Sequence, residues 1–431
     1  MEQKKTAAFH TLGCKTNHYE TDAIRMQFAA AGFDLVEFRE PADVYIINTC
    51  SVTAEADRKS RQMLRRARQV NPKALVVAVG CQAVIGDAAK WADLVVDNDH
   101  KSQTCRMVLS CLAGEKAGQR ETDEPPHYDE LGCIDRQSET RAYLKIEDGC
   151  DQFCTYCAIP LARGRVRSRG RKQIVTEARA LALAGYKEVV LTGIHLCSFG
   201  KDHGLPGHTV MELALELADI EGIERIRLGS LEPRFLTDRF VELAASNPYL
   251  CPHFHLSLQS GSDKILRSMR RSYQTDQFRE SVAALRQAFA DPGLTTDMIV
   301  GFPGETEDEF ADSLAFCREM AFSRIHVFRF SARAGTAAAR MPDVVPAGEK
   351  TRRSHEMNQL AQDLSGAYHA KQVGHTHAVL VEQQLGNDLY SGYTPEYVPV
   401  HFHAARQQRP GDIVQVKGLQ AKPEILLGAQ T

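Results

Sequence analysis

The chain has 431 residues, 43% of them apolar, and a formal net charge of -3, which is material for two or three cored domains and excludes a disordered chain. Its 12 cysteines are too sparse for a disulfide scaffold and point to a reducing compartment and metal chemistry. The start, MEQKKTAAFH, lacks the apolar stretch of a signal peptide, and no run reaches the ~18 apolar residues of a membrane span, so the sequence reads as cytoplasmic with no membrane partner.

The first segment, taken as residues 1–115, alternates strand and helix: TAAFHTLGC, a helix from about Glu20 to Ala31, VYIINTC, a basic helix, and ALVVAVGC. Short β-branched runs separated by helices predict parallel strands in an open α/β sheet. Each strand ends in a cysteine, and the carboxyl ends of such strands share the edge where ligands bind. Cys14, Cys50 and Cys81 therefore converge as a three-cysteine site, the bland alternative being three small packing residues.

A polar stretch with Pro125-Pro126 follows, and residues 116–138 read as a linker. Residues 139–370 hold six apolar strands, AYLKI, EVVLTG, RIRLGS, FHLSL, TTDMIV and RIHVFRF, alternating with helical spacing. Six β/α repeats are too few for a closed eight-fold barrel, so a partial, open barrel is expected. A charged helix from about Gly348 to Gln372 leads to residues 371–431, whose short strands and Gly and Pro turns predict a small β-barrel.

Cys150, Cys154 and Cys157 lie in GCDQFCTYC. This CxxxCxxC spacing gives a four-iron cluster three thiolates and leaves one iron open; zinc would want a fourth protein ligand close by, and none follows. The triplet, with an aromatic residue before its last cysteine, resembles the signature of the radical S-adenosylmethionine (SAM) superfamily, which implies that the open iron chelates SAM and that reductive cleavage gives methionine and a 5'-deoxyadenosyl radical.

Over almost the whole chain the order of domains and the blocks TLGCKTNHYETDAI, INTCSVTAEADRKSRQ, EDGCDQFCTYCAIPLARGRVRSR, GFPGET and FSARAGTAAARM resemble the methylthiotransferase family. The resemblance implies an N-terminal methylthiotransferase domain, a partial (β/α)6 radical-SAM core and a TRAM-type RNA-binding barrel. It implies two 4Fe-4S clusters, on Cys14, Cys50 and Cys81 and on the catalytic Cys150, Cys154 and Cys157, and two SAM molecules per turnover, one giving a methyl group to sulfur and one giving the radical. An unactivated aromatic C–H is not acidic enough for a side-chain base, so the hard step belongs to a cofactor. A one-electron donor such as flavodoxin or ferredoxin and a sulfur source are implied partners. TLGCKTNHYET, NTCSVTAEADRKSRQ and IPLARGRVRSR look most like the branch that methylthiolates C2 of N6-threonylcarbamoyladenosine beside the tRNA anticodon. The branches acting on isopentenyladenosine or on a ribosomal-protein aspartate are alternatives. A different class is a non-enzymatic iron-sulfur redox sensor that binds RNA.

By the same resemblance SAM is held at strand ends: Thr192 and Gly193 in LTGIH, Ser230 and Glu232 in GSLEP, Gln259 in LQSGS, and Asp297 with Gly301 of GFPGE, the last equally readable as a tight turn. Cys197 stands where relatives carry glycine. For tRNA, six of the ten residues from Arg163 to Lys172 are basic, and Arg163, Arg165, Arg167 and Arg169 are expected to meet phosphates, unless the run is simply a solvated face. Arg58, Arg61, Arg65 and Arg68 share a helix face that could line the same groove, and Tyr390, Tyr393 and Tyr397 are candidates for base stacking or core. Cys105, Cys111, Cys133, Cys197, Cys251 and Cys317, with His375, His377 and His401, read as packing.

Overall fold

The structure is a computed structural model that describes residues 4–115 and 127–431. Strands β1 (Thr6–Thr11), β2 (Asp34–Val36), β3 (Val44–Thr49), β4 (Leu75–Gly80) and β5 (Leu94–Val96) form one parallel sheet in the order β2-β1-β3-β4-β5. The expected three strands thus gain two short edge strands. Their Val- and Ile-rich runs are buried because helices cover both faces. On one side α1 (Lys15–Ala30) and α4 (Thr104–Leu112) set Ile24, Phe28, Met107 and Val108 against Val44, Ile46 and Val77. On the other, α2 (Ala54–Val70) sets Leu64 and Ala67 against Tyr45, Ile47 and Val76, and α3 (Cys81–Ile85) follows β4 directly.

Helix α1 starts five residues before the expected Glu20, with Cys14 as its N-cap. Its first turn is polar yet buried at Thr16, Asn17, Tyr19 and Glu20, because it faces another domain through hydrogen bonds, and apolar periodicity therefore misses it.

The described part of the stretch read as a linker, residues 127–138, packs against the domains on either side of it. Residues 116–126, including Pro125-Pro126, lie outside the described residues, but Leu131 and Ile134 pack with Tyr19, Tyr143 and Val190, and the Tyr128 hydroxyl donates to the Lys145 carbonyl at 3.2 Å.

The central region runs β6 (Ala142–Lys145), β7 (Glu147–Asp148), α5 (Ile159–Arg163), β8 (Arg167–Ser168), α6 (Arg171–Leu183), β9 (Glu188–Thr192), α7 (Thr209–Ala218), β10 (Arg225–Leu228), β11 (Ser230–Leu231), α8 (Asp238–Ser246), β12 (His253–Gln259), α9 (Asp263–Ser268), α10 (Thr275–Ala288), β13 (Gly293–Val300), α11 (Glu307–Met320) and β14 (Arg324–Arg329). The six expected strands form a curved parallel wall, with RIRLGS divided at Gly229, so that sheet β10-β9-β6 continues into sheet β11-β12-β13-β14. The helices close one core on its outside, from Ile174 through Phe278 to Met357 on α12 (Ala347–Lys371).

Five strands, β15 (Thr376–Gln384), β16 (Leu389–Tyr393), β17 (Pro399–His403), β18 (Ile413–Ala421) and β19 (Leu426–Gln430), close a small C-terminal barrel. It is fastened to the amino-terminal edge of the wall. Arg227 donates to the Pro395 carbonyl at 2.8 Å, Arg225 to the Tyr393 carbonyl at 3.3 Å, and the Tyr397 ring lies 4.8 Å from that of His253. No helix among the described residues is long and apolar enough to cross a membrane.

Candidate active site between two cysteine triplets

Cys14, Cys50 and Cys81 follow the carboxyl ends of β1, β3 and β4, three neighbouring strands. The chain closes tightly there: Gly13 has φ +105°, and a Cβ on it would lie 3.0 Å from the Cys50 Sγ, so only glycine lets the first cysteine loop approach the second. Asn17 ties the loops together, donating to the Leu12 carbonyl at 2.7 Å and the Thr49 carbonyl at 3.1 Å. Burial pushes the Cys50 thiol up to about 11 and also raises that of Cys81, against the pull of Arg163.

Cys150, Cys154 and Cys157 lie in the loop after β7. The Gln152 N–H donates to the Cys150 Sγ at 3.4 Å, and Arg271 donates to the Cys154 Sγ at 3.1 Å. Burial drives the Cys150 and Cys157 thiols up to about 12, so they give up protons to a bound metal rather than to water, and loading the site releases protons. None of the six is in a disulfide.

The two triplets face each other. Helix α3, which begins at Cys81, packs on α5, which follows Cys157, and a pocket of about 60 Å3 between them is lined by Ser51, Val52, Cys81, Tyr156, Cys157, Ile159 and Ala162 among others. Among the described residues no three His, Cys, Asp or Glu side chains gather as around one ion. A four-iron cluster is held differently, each thiolate binding its own iron. The donor set of each triplet, three free thiols at one edge with N–H groups aimed at sulfur in the second, fits such a cluster.

Beside the second triplet the strand ends form a hydrogen-bonded rim. Thr192 is buried at the end of β9, and Gly193 lets Glu147 pass, since a Cβ there would lie 2.5 Å from the Glu147 Oε2. That oxygen accepts the N–H groups of Ile194 at 2.8 Å and His195 at 2.9 Å, whereas Oε1 has no partner, and burial pushes the carboxyl up to about 8. Glu232 is held by His195 at 2.8 Å, by Arg234 at 2.8 Å and by Ser272. Despite its burial, His195, the nearby Arg271 and Ser272 hold its pKa down at about 2.

Residues 144–317 match the family described as the radical SAM superfamily, and residues 6–99 match an uncharacterized protein family, UPF0004. The threonylcarbamoyladenosine tRNA methylthiotransferase MtaB of Bacillus subtilis is 38% identical, with 96% of this chain and 94% of the relative aligned. The chain belongs to the tRNA methylthiotransferase family. The MtaB protein of Thermotoga maritima is 37% identical over 92% of this chain and 91% of its own. A tRNA-2-methylthio-N(6)-dimethylallyladenosine synthase of Acidothermus cellulolyticus is 34% identical over all of this chain and 88% of its own. The fold is shared with the radical SAM methyltransferase TsrM of Kitasatospora setae, at TM-score 0.58 and 15% identity over 76% of this chain and 75% of that one. As a methylthiotransferase the protein is a radical SAM enzyme, and it uses SAM and two iron-sulfur clusters.

The remaining site residues divide. Gln259, at φ +72°, ends β12, whereas Asp297, paired with His255 at 3.3 Å, lies in the middle of the adjacent β13. Ser230 is exposed. Gly301, at φ +72°, belongs to a strand-to-helix turn stapled by Glu305, which accepts the Gly301 N–H at 2.6 Å and Arg353 at 2.8 Å. Arg271 and Glu147 were missed: Arg271 lies in no recognisable motif, and Glu147 opens the EDGCDQFC block, whose cysteines drew the attention.

The arginine run requires a correction. Arg163, Arg167 and Arg169 are buried and paired to carboxylates, Arg163 to Glu20 and Asp148, Arg167 to Asp99, and Arg169 to Glu130 and Glu177. They pin the N-terminal sheet to the wall and are not open to phosphate. Arg165 alone is exposed, over the Phe153 ring at 4.7 Å. On α2, Arg58, Arg65 and Arg66 are exposed, while Arg61 and Arg68 lean on Asp87 and Asp93. Tyr390 is core, and Tyr393 and Tyr397 stack on each other at 4.6 Å against Arg141, so the three tyrosines do not form an open stacking platform. Cys105, Cys197, Cys251 and Cys317 are buried, as the packing reading expects, but Cys133 is exposed.

Proposed function

We propose that this methylthiotransferase acts on tRNA, replacing the C2 hydrogen of N6-threonylcarbamoyladenosine by a methylthio group. The pocket lined by both Cys81 and Cys157 carries the reading, because sulfur insertion needs a sulfur-bearing centre and a radical source on either side of one carbon. The MtaB relatives, whose names specify threonylcarbamoyladenosine, support that nucleoside. Cys150, Cys154 and Cys157 would hold the cluster that opens SAM, and Cys14, Cys50 and Cys81 the one that carries sulfur. When bound, these groups supply one-electron reduction and a sulfur atom, which no side chain can.

The protein's own part is to orient and to exclude water. Thr192, Gly193, Ser230, Glu232, Gln259, Asp297 and Gly301 would border SAM; among them the anchored Glu232 fixes His195 and Arg234 at the rim. Val52, Ile159 and Ala162 give the pocket apolar walls. The domain division that accompanies the reading is 1–115, 139–370 and 371–431, the last a TRAM-type RNA-binding barrel, with a flavodoxin or ferredoxin as electron donor, a separate sulfur source and a cytoplasmic setting.

Mass spectrometry of tRNA nucleosides from cells lacking the gene tests this. The methylthio form of threonylcarbamoyladenosine should vanish, its precursor accumulate, and the wild-type gene restore it. Loss of the methylthio form of isopentenyladenosine instead would overturn the substrate assignment. The triple change of Cys14, Cys50 and Cys81 to Ala should abolish the product yet leave 5'-deoxyadenosine release, whereas the same change at Cys150, Cys154 and Cys157 should stop both.

A further inference from the structure

The ionic group that joins the two domains holds more positive charge than its carboxylates match. Glu20 accepts from Lys145 at 2.8 Å, from Arg163 at 2.8 Å and from Lys101, and Asp148 accepts from Lys145 at 2.7 Å and Arg163 at 2.9 Å. All five side chains are at most 3% exposed. Three cations therefore face two anions in a sealed space. The neighbouring Arg167 and Asp99 add one of each and leave the surplus standing. Asp129 is half-buried, takes its hydrogen bond from the Ser102 N–H at 2.9 Å and feels the charges of Lys145 and Lys101 without an ion pair to either, so it offsets the surplus only from outside the group.

An unmatched buried charge is strongly destabilising, so the surplus calls for an anion. The second arm of the Arg163 fork points the way. Its Nη2 donates to the Asn17 Oδ1 at 2.7 Å, that oxygen lies 3.8 Å from the Cys14 Sγ, and the positive guanidinium works against the burial that raises the Cys81 thiol. Arg163 ends α5, the helix whose Ile159 and Ala162 line the pocket together with Cys81 and Cys157. We infer that Arg163, a residue of the radical-SAM half, is the charge partner of the N-terminal cluster site: it balances the metal-bound Cys81 thiolate and so sets that site's reduction potential from the neighbouring domain.

The inference rests on Cys14, Cys50 and Cys81 being a cluster site. A cation at a ligand sulfur favours the reduced, more negative cluster and raises its potential. Removing Arg163 leaves Lys101 and Lys145 balanced against Glu20 and Asp148, so Arg163→Met creates no unmatched carboxylate. Any withdrawal of α5 from α3 carries the guanidinium away and lowers the potential in the same way.

The test uses the full-length chain with Cys150, Cys154 and Cys157 changed to Ala, reconstituted anaerobically, so that a single cluster of about four irons remains, followed by a redox titration read by electron paramagnetic resonance. Arg163→Met should shift the midpoint to more negative potential. Should that variant take up no iron, Arg163→Lys decides: its single ammonium, drawn to Glu20 and Asp148, does not span to Cys81 as well, and the midpoint should again fall. A loaded cluster with an unchanged midpoint overturns the inference and leaves the proposed function intact. Failure of the parent to bind iron overturns both the cluster site and the inference. Neither RNA nor SAM is present, so the outcome is independent of the substrate.

Discussion

Replacing Glu147 by Gln isolates one buried titration at the rim of the site. The carboxyl is wholly buried and its pKa stands at about 8 against an ordinary 4.5, chiefly through desolvation. The folded chain therefore keeps a proton that the unfolded chain has released. The stability from this group is complete below pH 4.5 and is lost as pH rises through 8. Each pKa unit is worth about 1.4 kcal/mol, so the loss between pH 5.5 and 8 is about 3 kcal/mol. Glutamine keeps an oxygen for the Ile194 and His195 N–H groups and puts an amide where the protonated Oε1 stands without a partner. That substitution changes stability by an offset that does not vary with pH. Urea unfolding of the apoprotein, followed by circular dichroism at pH 5.5, 7 and 8, should show the variant gaining on the wild type by about 3 kcal/mol across the range. Parallel loss of stability in the two proteins would refute a protonated Glu147.

Gly193→Ala should push Glu147 off its two N–H donors and lower 5'-deoxyadenosine release under dithionite on the order of a hundredfold, the scale of a misplaced site. Arg271→Met removes the donor to the Cys154 Sγ, a contact worth about 1.5–3 kcal/mol once the sulfur is charged, and should leave a cluster that loses iron faster during gel filtration. Arg169→Met leaves Glu177 buried with only the Tyr19 hydroxyl and should cost about 3–5 kcal/mol in urea unfolding. In salt titrations of tRNA binding, Arg165→Ala should reduce the log–log slope by less than about one, while Arg58, Arg65 and Arg66 changed together to Ala should reduce it by about two.

What was legible in the sequence was local. The CxxxCxxC spacing and a cysteine at each strand end need only the chain itself to be recognised, and the parallel strands announce themselves as apolar runs. The arginine run shows the limit. A basic stretch looks the same whether water or a carboxylate receives it, and the carboxylate of Glu20 lies 143 residues from Arg163. The start of α1 was hidden for a related reason: Cys14 makes no side-chain cap, and the polar first turn is buried by partners elsewhere in the chain. Arg271 acquires its meaning only when folding carries it to Cys154, 117 residues away.

The C-terminal barrel grips the edge of the wall opposite the cysteine loops, through Arg225 and Arg227 of β10 and the Tyr397 ring against His253 at the head of β12. The grip point and the catalytic loops therefore lie toward opposite ends of the parallel strands, with the side chain of Lys15, next to Cys14, feeling the charges of Arg141 and Arg227 from between them. Only a ligand that extends past the strands could touch both ends at once.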